Sequence, residues 1–466
     1  MSILDDIARR ALSLPGDAAE AVGLAEPTVR LGVTGLARAG KTVFITSLVA
    51  NLLERGRMPQ LLAAAEGRIE AAYLRPQPDD TVPRFPFEEA LAALTGPEPR
   101  WPEPTESVSA IRVALRVRPA GPLAGMRGAR TLNLDLVDYP GEWILDLSLL
   151  GKAFDEWSAS ALIRVAERPG GEAFAAALGE VDAAARHDEG TAKRLAGAYA
   201  EALQAARAAG FSDCTPGRFL MPGEMAGSPA LTFAPLPPGP GGRGTLRREF
   251  ERRFGAYKSR VVRPFFRDHF ARLDRQVVLV DALEAIHHGP EAVADMRGAM
   301  ADLLSAFRPG GSGFLERLWR GRRIDRILFA ATKADHLHHS QHARLTAAME
   351  ALVADARRRA DFAGARTNAM AIAALRATVE GEVEHGGEAL PVVKGIDAAT
   401  GREVAFHPGD LPEEPAALLS GGGGGWLAED YENMRFRPAP LTLRAGEGPP
   451  HIRLDRAAEF LFGDRL

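Results

Sequence analysis

Apolar and polar positions change period several times along the chain, and each change marks an element. A short apolar run at 29–33 leads into a glycine-bearing loop, and an apolar run at 43–53 follows it, as a buried strand, a turn and a helix would. Residues 87–94 read as a short helix inside a polar, proline-rich stretch at 75–104. The segments 111–117 (IRVALRV) and 131–137 (TLNLDLV) alternate with period two across a Gly/Pro-rich turn, predicting an antiparallel hairpin. From 143 to 275 the texture becomes Ala/Arg/Glu-rich, with helical spacing at 147–168, 172–186, 191–209 and 245–275. Strand patterns return at 276–280 (QVVLV) and 324–331, each followed by a helical pattern, then at 368–373, 392–396 and 402–406. Strands alternating with helices imply an α/β fold, a mainly parallel sheet with one antiparallel hairpin and helices on both faces.

Composition narrows the partners more than the fold. At 466 residues the chain is too long for one simple core. A net charge of −4 gives no global reason to expect nucleic acid. The arginine-rich stretch 247–272 is the strongest local candidate, but Glu249, Glu251 and Asp268 interrupt it, so a solvated or packing face is expected. The lone Cys214 excludes an internal disulfide and fits a reducing, cytoplasmic setting. No apolar run is long enough for a transmembrane helix. Residues 3–23 carry Ile3, Leu4, Ile7, Ala8, Ala11, Leu12 and Leu14 at helical spacing, which predicts a helix on the protein body. Peripheral contact with the inner membrane is the alternative, weakened by the mixed charge of Asp5, Asp6, Arg9 and Arg10 on its polar face.

The loop after the first strand supplies the chemistry. Residues 35–42 read GxxxxGKT, a complete phosphate-binding P-loop in its strand–loop–helix context. Gly35, Arg38, Ala39, Gly40, Lys41, Thr42 and Val43 form the expected nucleotide-binding run, with backbone N–H groups around the β-phosphate. Lys41 would reach the β- and γ-phosphates, and the Thr42 hydroxyl would ligate Mg²⁺. Only six residues are lysine, among them Lys41 and Lys333. Where arginine serves nearly everywhere else, a compact ammonium points to a tight site.

Three further motifs follow in order. Asp138-Tyr139-Pro140-Gly141 fits DxxG at the end of a buried strand, with Asp138 toward Mg²⁺ and the Gly141 N–H toward the γ-phosphate. Thr332-Lys333-Ala334-Asp335 fits [NT]KxD, in which Asp335 accepts from guanine N1–H and N2 and the Lys333 stem lies on the base plane. Adenine has no such donor pair, so ATP would leave a buried carboxylate unsatisfied. Ala373 and Ala374 stand where a small-residue loop would meet guanine O6. Thr105, before the 111–117 strand, is the expected second Mg²⁺ hydroxyl, with Thr81 and Thr95 as alternatives. The four histidines at 336, 338, 339 and 342 raise a metal site, for which His338 and His342 have one-face spacing, but there is no cysteine near and no acidic companion beyond Asp335, which has another role; for His287-His288 a polar turn is the better reading.

In this order the motifs resemble a GTPase. The separation of Asp138 from Thr332 far exceeds the two strand–helix units of about 30 residues each that would suffice. An all-helical domain inserted after the second switch accounts for the excess. The expected organisation is an N-terminal helical segment at 1–28, a P-loop NTPase G domain at 29–144 and 276–385, a helical insert at 145–275, and a C-terminal extension at 386–466 packed on the G domain.

The P-loop, WPEPT at 101–105, DYPGEW, VVLVDALEAIHHGP, ATKADHLH and the ending RLDR…FGDRL together resemble the YcjX family of bacterial P-loop GTP-binding proteins. The resemblance implies a G domain with a helical insert and a role linked to phage-shock-type envelope stress. One departure from small GTPases stands at Glu142, where Ras-like proteins carry a water-orienting Gln. The run G-L-x-R-x-G-K-T resembles that of guanylate-binding proteins, which implies that Arg38 is an arginine finger in cis. The expected catalytic set is therefore Lys41, Arg38, Glu142 and Thr105. Two functions follow: a slow GTP hydrolase acting as a switch, or a non-catalytic GTP/GDP-binding scaffold whose helical insert holds a protein partner.

Overall fold

The computed structural model describes residues 26–36, 38–103, 107–121, 128–305, 324–362, 364–419 and 431–466. The expected N-terminal helix at 3–23, Thr105 and the glycine tract at 421–425 lie outside them. Seven strands make the main sheet: β1 (Thr28–Gly35), β2 (Ile69–Arg75), β3 (Ser109–Val117), β4 (Arg130–Asp138), β5 (Arg275–Val280), β6 (Arg326–Ala331) and β7 (Arg366–Ala371). Their order is β2-β3-β4-β1-β5-β6-β7. The five strands from β4 to β7 run parallel, while β3 pairs antiparallel with β4, setting Ile111 opposite Leu136. The fold is thus α/β with a mainly parallel sheet and the expected hairpin.

Central strands are apolar on both faces because helices cover both. Along β5, Val277 and Leu279 join one core while Val278 and Val280 join the other; this is the period-two alternation of a strand buried on two sides. On the first face pack α1 (Lys41–Glu54), α2 (Phe87–Thr95) and, from the far end of the chain, α13 (Leu454–Phe462).

Between β4 and β5 the described elements are helical. They are α3 (Gly141–Leu145), α4 (Phe154–Ala166), α5 (Gly171–Gly179), α6 (Glu189–Ala208), α7 (Leu246–Tyr257) and α8 (Arg263–Asp268), with shorter turns between them. Trp157, fully buried, stacks on Phe254 with ring centroids 4.9 Å apart and joins α4 to α7. These helices share one continuous apolar core with the second face of the sheet. On that face also lie α9 (Ala282–His287), α10 (Pro290–Ser305), α11 (His342–Leu352) and α12 (Ala354–Phe362). A separate three-stranded antiparallel sheet follows, β8 (Val379–His385), β9 (Glu388–Ile396) and β10 (Glu403–Phe406), in the order β10-β9-β8.

Sequence reading missed β2, β8 and α13. Strand β2, IEAAYLR, lies at the sheet edge and is only partly buried, so its two faces carry no clean alternation. Among the described residues no helix is long and apolar enough to cross a membrane.

Candidate functional site

The sheet changes direction of growth at β1, which has β4 on one side and β5 on the other. The crevice outside the carboxyl ends of such strands is where an open α/β sheet offers a binding site. The loop 35–40 occupies that position. Gly40 has φ +81° and caps α1, a conformation in which glycine is unstrained. Arg38 takes φ +61° without that freedom and is exposed. Lys41 Nζ donates to Gly35 O at 3.1 Å, closing the loop on itself. Thr42 Oγ1 lies 3.5 Å from Glu103 O, so residues 101–103 run past the start of α1.

Asp138 ends β4 in register with Val33 of β1, buried at the same edge of the sheet. Gly141 lies against the loop so closely that a Cβ there would sit 1.7 Å from Gly35 O; only glycine fits that approach. Glu142, 8% exposed, turns toward the cavity and meets Arg207 Nη2 of α6 at 2.8 Å.

A cavity of about 480 Å³ opens above these strand ends, within the size range of small-ligand sites. Arg38, Ala39, Gly40, Lys41, Thr42 and Val43 line it together with Glu142, Thr332, Lys333, Asp335, Ala373 and Ala374. Residues hundreds of positions apart therefore share one space. Gly35, Asp138 and Gly141 are not among its lining but stand directly behind the loop, as their contacts show.

The base end has its own supports. Asp335 is not a helix cap: its Oδ2 accepts the Ala377 N–H at 2.8 Å, and the Thr378 hydroxyl donates to its carbonyl. A carboxylate offers about four lone-pair sites, so acceptor capacity remains for a ligand. Ala373 N–H donates to Ile452 O at 3.0 Å, which makes the Ala374 N–H the candidate for a base oxygen. Lys333 takes φ +60°, and its Nζ donates to Asp281 Oδ2 at the end of β5.

Several lining residues escaped the sequence reading. Trp101 and Pro102 form one wall, and the Trp101 indole N–H donates to Phe436 O at 2.8 Å. His336, Ala398, Arg435 and Phe436 line the base end; burial holds the His336 imidazole below its ordinary pKa, hence neutral. Arg207 and Met221 enter from the helical stretch. An Asp closing the apolar run VVLVD was a signal for Asp281, by analogy with Asp138. For Arg207, one of many arginines, the sequence offered none.

Two other candidates take shape differently. Burial pushes the Cys214 thiol up to about 12, so it stays protonated and unreactive. His342 does not pair with His338; its Nε2 meets the carbonyls of Ala334 and Leu337, at 2.8 and 3.3 Å. His338 and His339 instead face Glu380, with His339 Nδ1 2.6 Å from Glu380 Oε2.

The YcjX-like family model (DUF463) matches residues 29–466. The chain is 38% identical over 453 residues to the Ras-like GTPase YcjX of Escherichia coli (strain K12), covering 94% of this chain and 96% of that protein. It is 35% identical over 472 residues to the Ras-like GTPase YcjX of Shewanella oneidensis (strain ATCC 700550 / MR-1), covering 95% of each. With P-loop and TKAD residues lining one cavity, a DxxG turn directly behind the loop, and that likeness along nearly its whole length, the chain belongs to the YcjX-like family.

Proposed function

We propose that this protein binds GTP and hydrolyses it to GDP and phosphate, using the binding state as a switch. The observation that carries this reading is the single cavity shared by 38–43, Glu142, Thr332, Lys333, Asp335 and 373–374. The names of the two relatives support the same chemistry.

The Thr42 hydroxyl and the buried Asp138 carboxylate are hard oxygen donors at the carboxyl edge of the sheet, a set that suits Mg²⁺. Thr105 is the proposed third donor. When bound with GTP, Mg²⁺ would neutralise charge shared by the β- and γ-phosphates. The loop N–H groups and Lys41 hold the phosphates, and the Gly141 N–H approaches the γ-phosphate. Asp335 and the Ala374 N–H select guanine. A water oxygen forms a bond to the γ-phosphorus as the bond to the β–γ bridging oxygen breaks; GDP leaves, and the water's proton passes to the phosphate released. Glu142 Oε2 accepts from that water, and Arg38 balances the developing charge. We assign 145–275 as the insert that carries nucleotide state to a protein partner. A place in envelope stress follows the family resemblance.

The test is phosphate release from GTP and ATP side by side, with Mg²⁺, for the full chain and Lys41→Ala. GTP-selective release that disappears in the variant is expected. Equal use of ATP would overturn the base assignment, and tight GTP binding without turnover would leave the scaffold function.

A further inference from the structure

The helical stretch reaches the phosphate end of the cavity with a guanidinium. Arg207 stands in the last turn of α6, and among the described lining residues it is the one cation contributed by 145–275. Its partner Glu142 belongs to α3, the element right after DxxG. The two guanidinium-bearing residues Arg207 and Arg38 and the Glu142 carboxylate line both this cavity and a smaller one of about 60 Å³ beside it.

The pair is asymmetric in a way that bears on its use. Glu142 is fixed by its backbone. Gly141 abuts Gly35 O, and Gly217 lies so close that a Cβ there would be 2.2 Å from Glu142 O. Arg207 is a third exposed on a long stem, whereas the Glu142 side chain is 9% exposed. Although Nη2 and Oε1 are 2.8 Å apart, Oε1 has no aligned hydrogen bond. Charge rather than a directed bond holds the contact, so the guanidinium can turn without leaving its carboxylate.

A triphosphate in this cavity would bring negative charge beside the Glu142 carboxylate. Like charges in a shielded space repel strongly, so Glu142 is tolerable there only with a cation between. A guanidinium carries five N–H donors in a planar fork and keeps its charge, which lets one group serve a carboxylate and a phosphate together. GDP, lacking the γ-phosphate, offers no second acceptor at that end.

Resting on the GTP reading above, we infer that Arg207 is a catalytic residue that contacts the γ-phosphate, with Glu142 as its positioning residue. It transfers no proton. It balances the charge that grows on the phosphate oxygens as the bond to GDP breaks and the bond to water forms. Because it is anchored in α6, the helical stretch senses the γ-phosphate directly.

A purely structural clamp between α3 and α6 would look similar at rest, so the experiment must separate the two. We would measure GTP turnover, and affinity for GDP and for a non-hydrolysable GTP analogue, in the wild-type full chain, Arg207→Ala and Arg207→Lys. Arg207→Ala should lower kcat by about tenfold or more; a full arginine finger contributes about 10³–10⁵, shared here with Arg38. Analogue affinity should fall while GDP affinity stays within about twofold, and Arg207→Lys should restore part of both losses. Wild-type kcat in Arg207→Ala, or equal loss of GDP and analogue affinity, overturns the assignment. If Arg207→Ala does not fold, Arg207→Gln, which keeps the stem and a donor, carries the same measurements. A wild type that prefers ATP, or never turns GTP over, overturns the GTP reading itself. In the second case an unchanged analogue-to-GDP ratio in the variant removes the phosphate contact too.

Discussion

Arg38 and Lys333 both hold left-handed backbone conformations, which cost a side-chain-bearing residue about 1–2 kcal/mol each. Both sit in the motifs that line the cavity, and such strain persists only where surroundings over-determine it. For Lys333 the surroundings are visible in the Asp281 carboxylate that takes its ammonium. At Asp335 the division of labour between two oxygens makes a sharp prediction. Asn in its place keeps a carbonyl oxygen for the Ala377 N–H and turns an amide donor toward the base. Guanine then faces its N2 amino group with another donor, whereas xanthine offers a carbonyl at that atom. Asp335→Asn should therefore lose GTP affinity by about tenfold or more and gain XTP affinity, since an unpaired buried polar contact costs about 1–3 kcal/mol. Competition binding with the two triphosphates reads this directly, and a variant that still prefers GTP would contradict the assignment.

At the scale of elements, α3 is the junction that ties the sheet to the helices. The Trp143 indole N–H donates to Met221 O at 3.0 Å, and the Arg218 guanidinium lies over its ring. Just past α3, Asp146 accepts the Gly217 N–H at 2.7 Å and the Tyr257 hydroxyl. Burial pushes the Asp146 carboxyl up to about 7, against those two hydrogen bonds. An unfolded Asp146 ionises near 3.8, so between about pH 4 and 7 the folded protein keeps a proton that the unfolded chain has lost. Stability fully present below that window is lost through it, at about 1.4 kcal/mol per pH unit, and levels off above. Asn matches the neutral acid in shape, so Asp146→Asn should melt progressively higher than the wild type as pH rises from 5 to 7 and keep that lead above. A difference in melting temperature that does not grow with pH would refute this. The sequence offered no hint of Asp146, because its meaning comes from Gly217 and Tyr257, neither near it in the chain. The P-loop and TKAD runs were legible because each is a local strand–turn device whose spacing is its chemistry. Strand β2 was not, since an edge strand is defined by the neighbour it pairs with rather than by a buried face.

Over the whole molecule, α13 and the residues after it are bound to the sheet by several arginines, among them Arg326, which donates to Phe460 O, and the buried Arg275. Arg275 opens β5, is 1% exposed, donates to Leu461 O at 3.0 Å and pairs with Asp464 at the same distance and with Asp325. Its carboxylate partners are partly exposed and would re-solvate, so the loss on truncation is mainly packing and the Leu461 bond. Arg275→Ala should cost about 2–5 kcal/mol, the range for emptying a buried site, read as a lowered melting temperature and an α13 that exchanges its amide protons faster. Unchanged protection there would show that α13 docks independently. The sequence announced the ending RLDR…FGDRL as a motif, but no periodicity told that it would close the sheet's first face.

The cavity wall formed by Ala398, Arg435 and Phe436 also sets a timetable. The phosphate loop is translated early, yet roughly 400 residues must follow before its enclosure can be complete. At about 5–20 residues per second, the nascent chain passes roughly 20–80 s with a finished loop and an unfinished pocket. During synthesis the protein thus carries its most recognisable signature long before that wall exists, and only a chain translated through Phe436 can gain stability from a ligand enclosed by it.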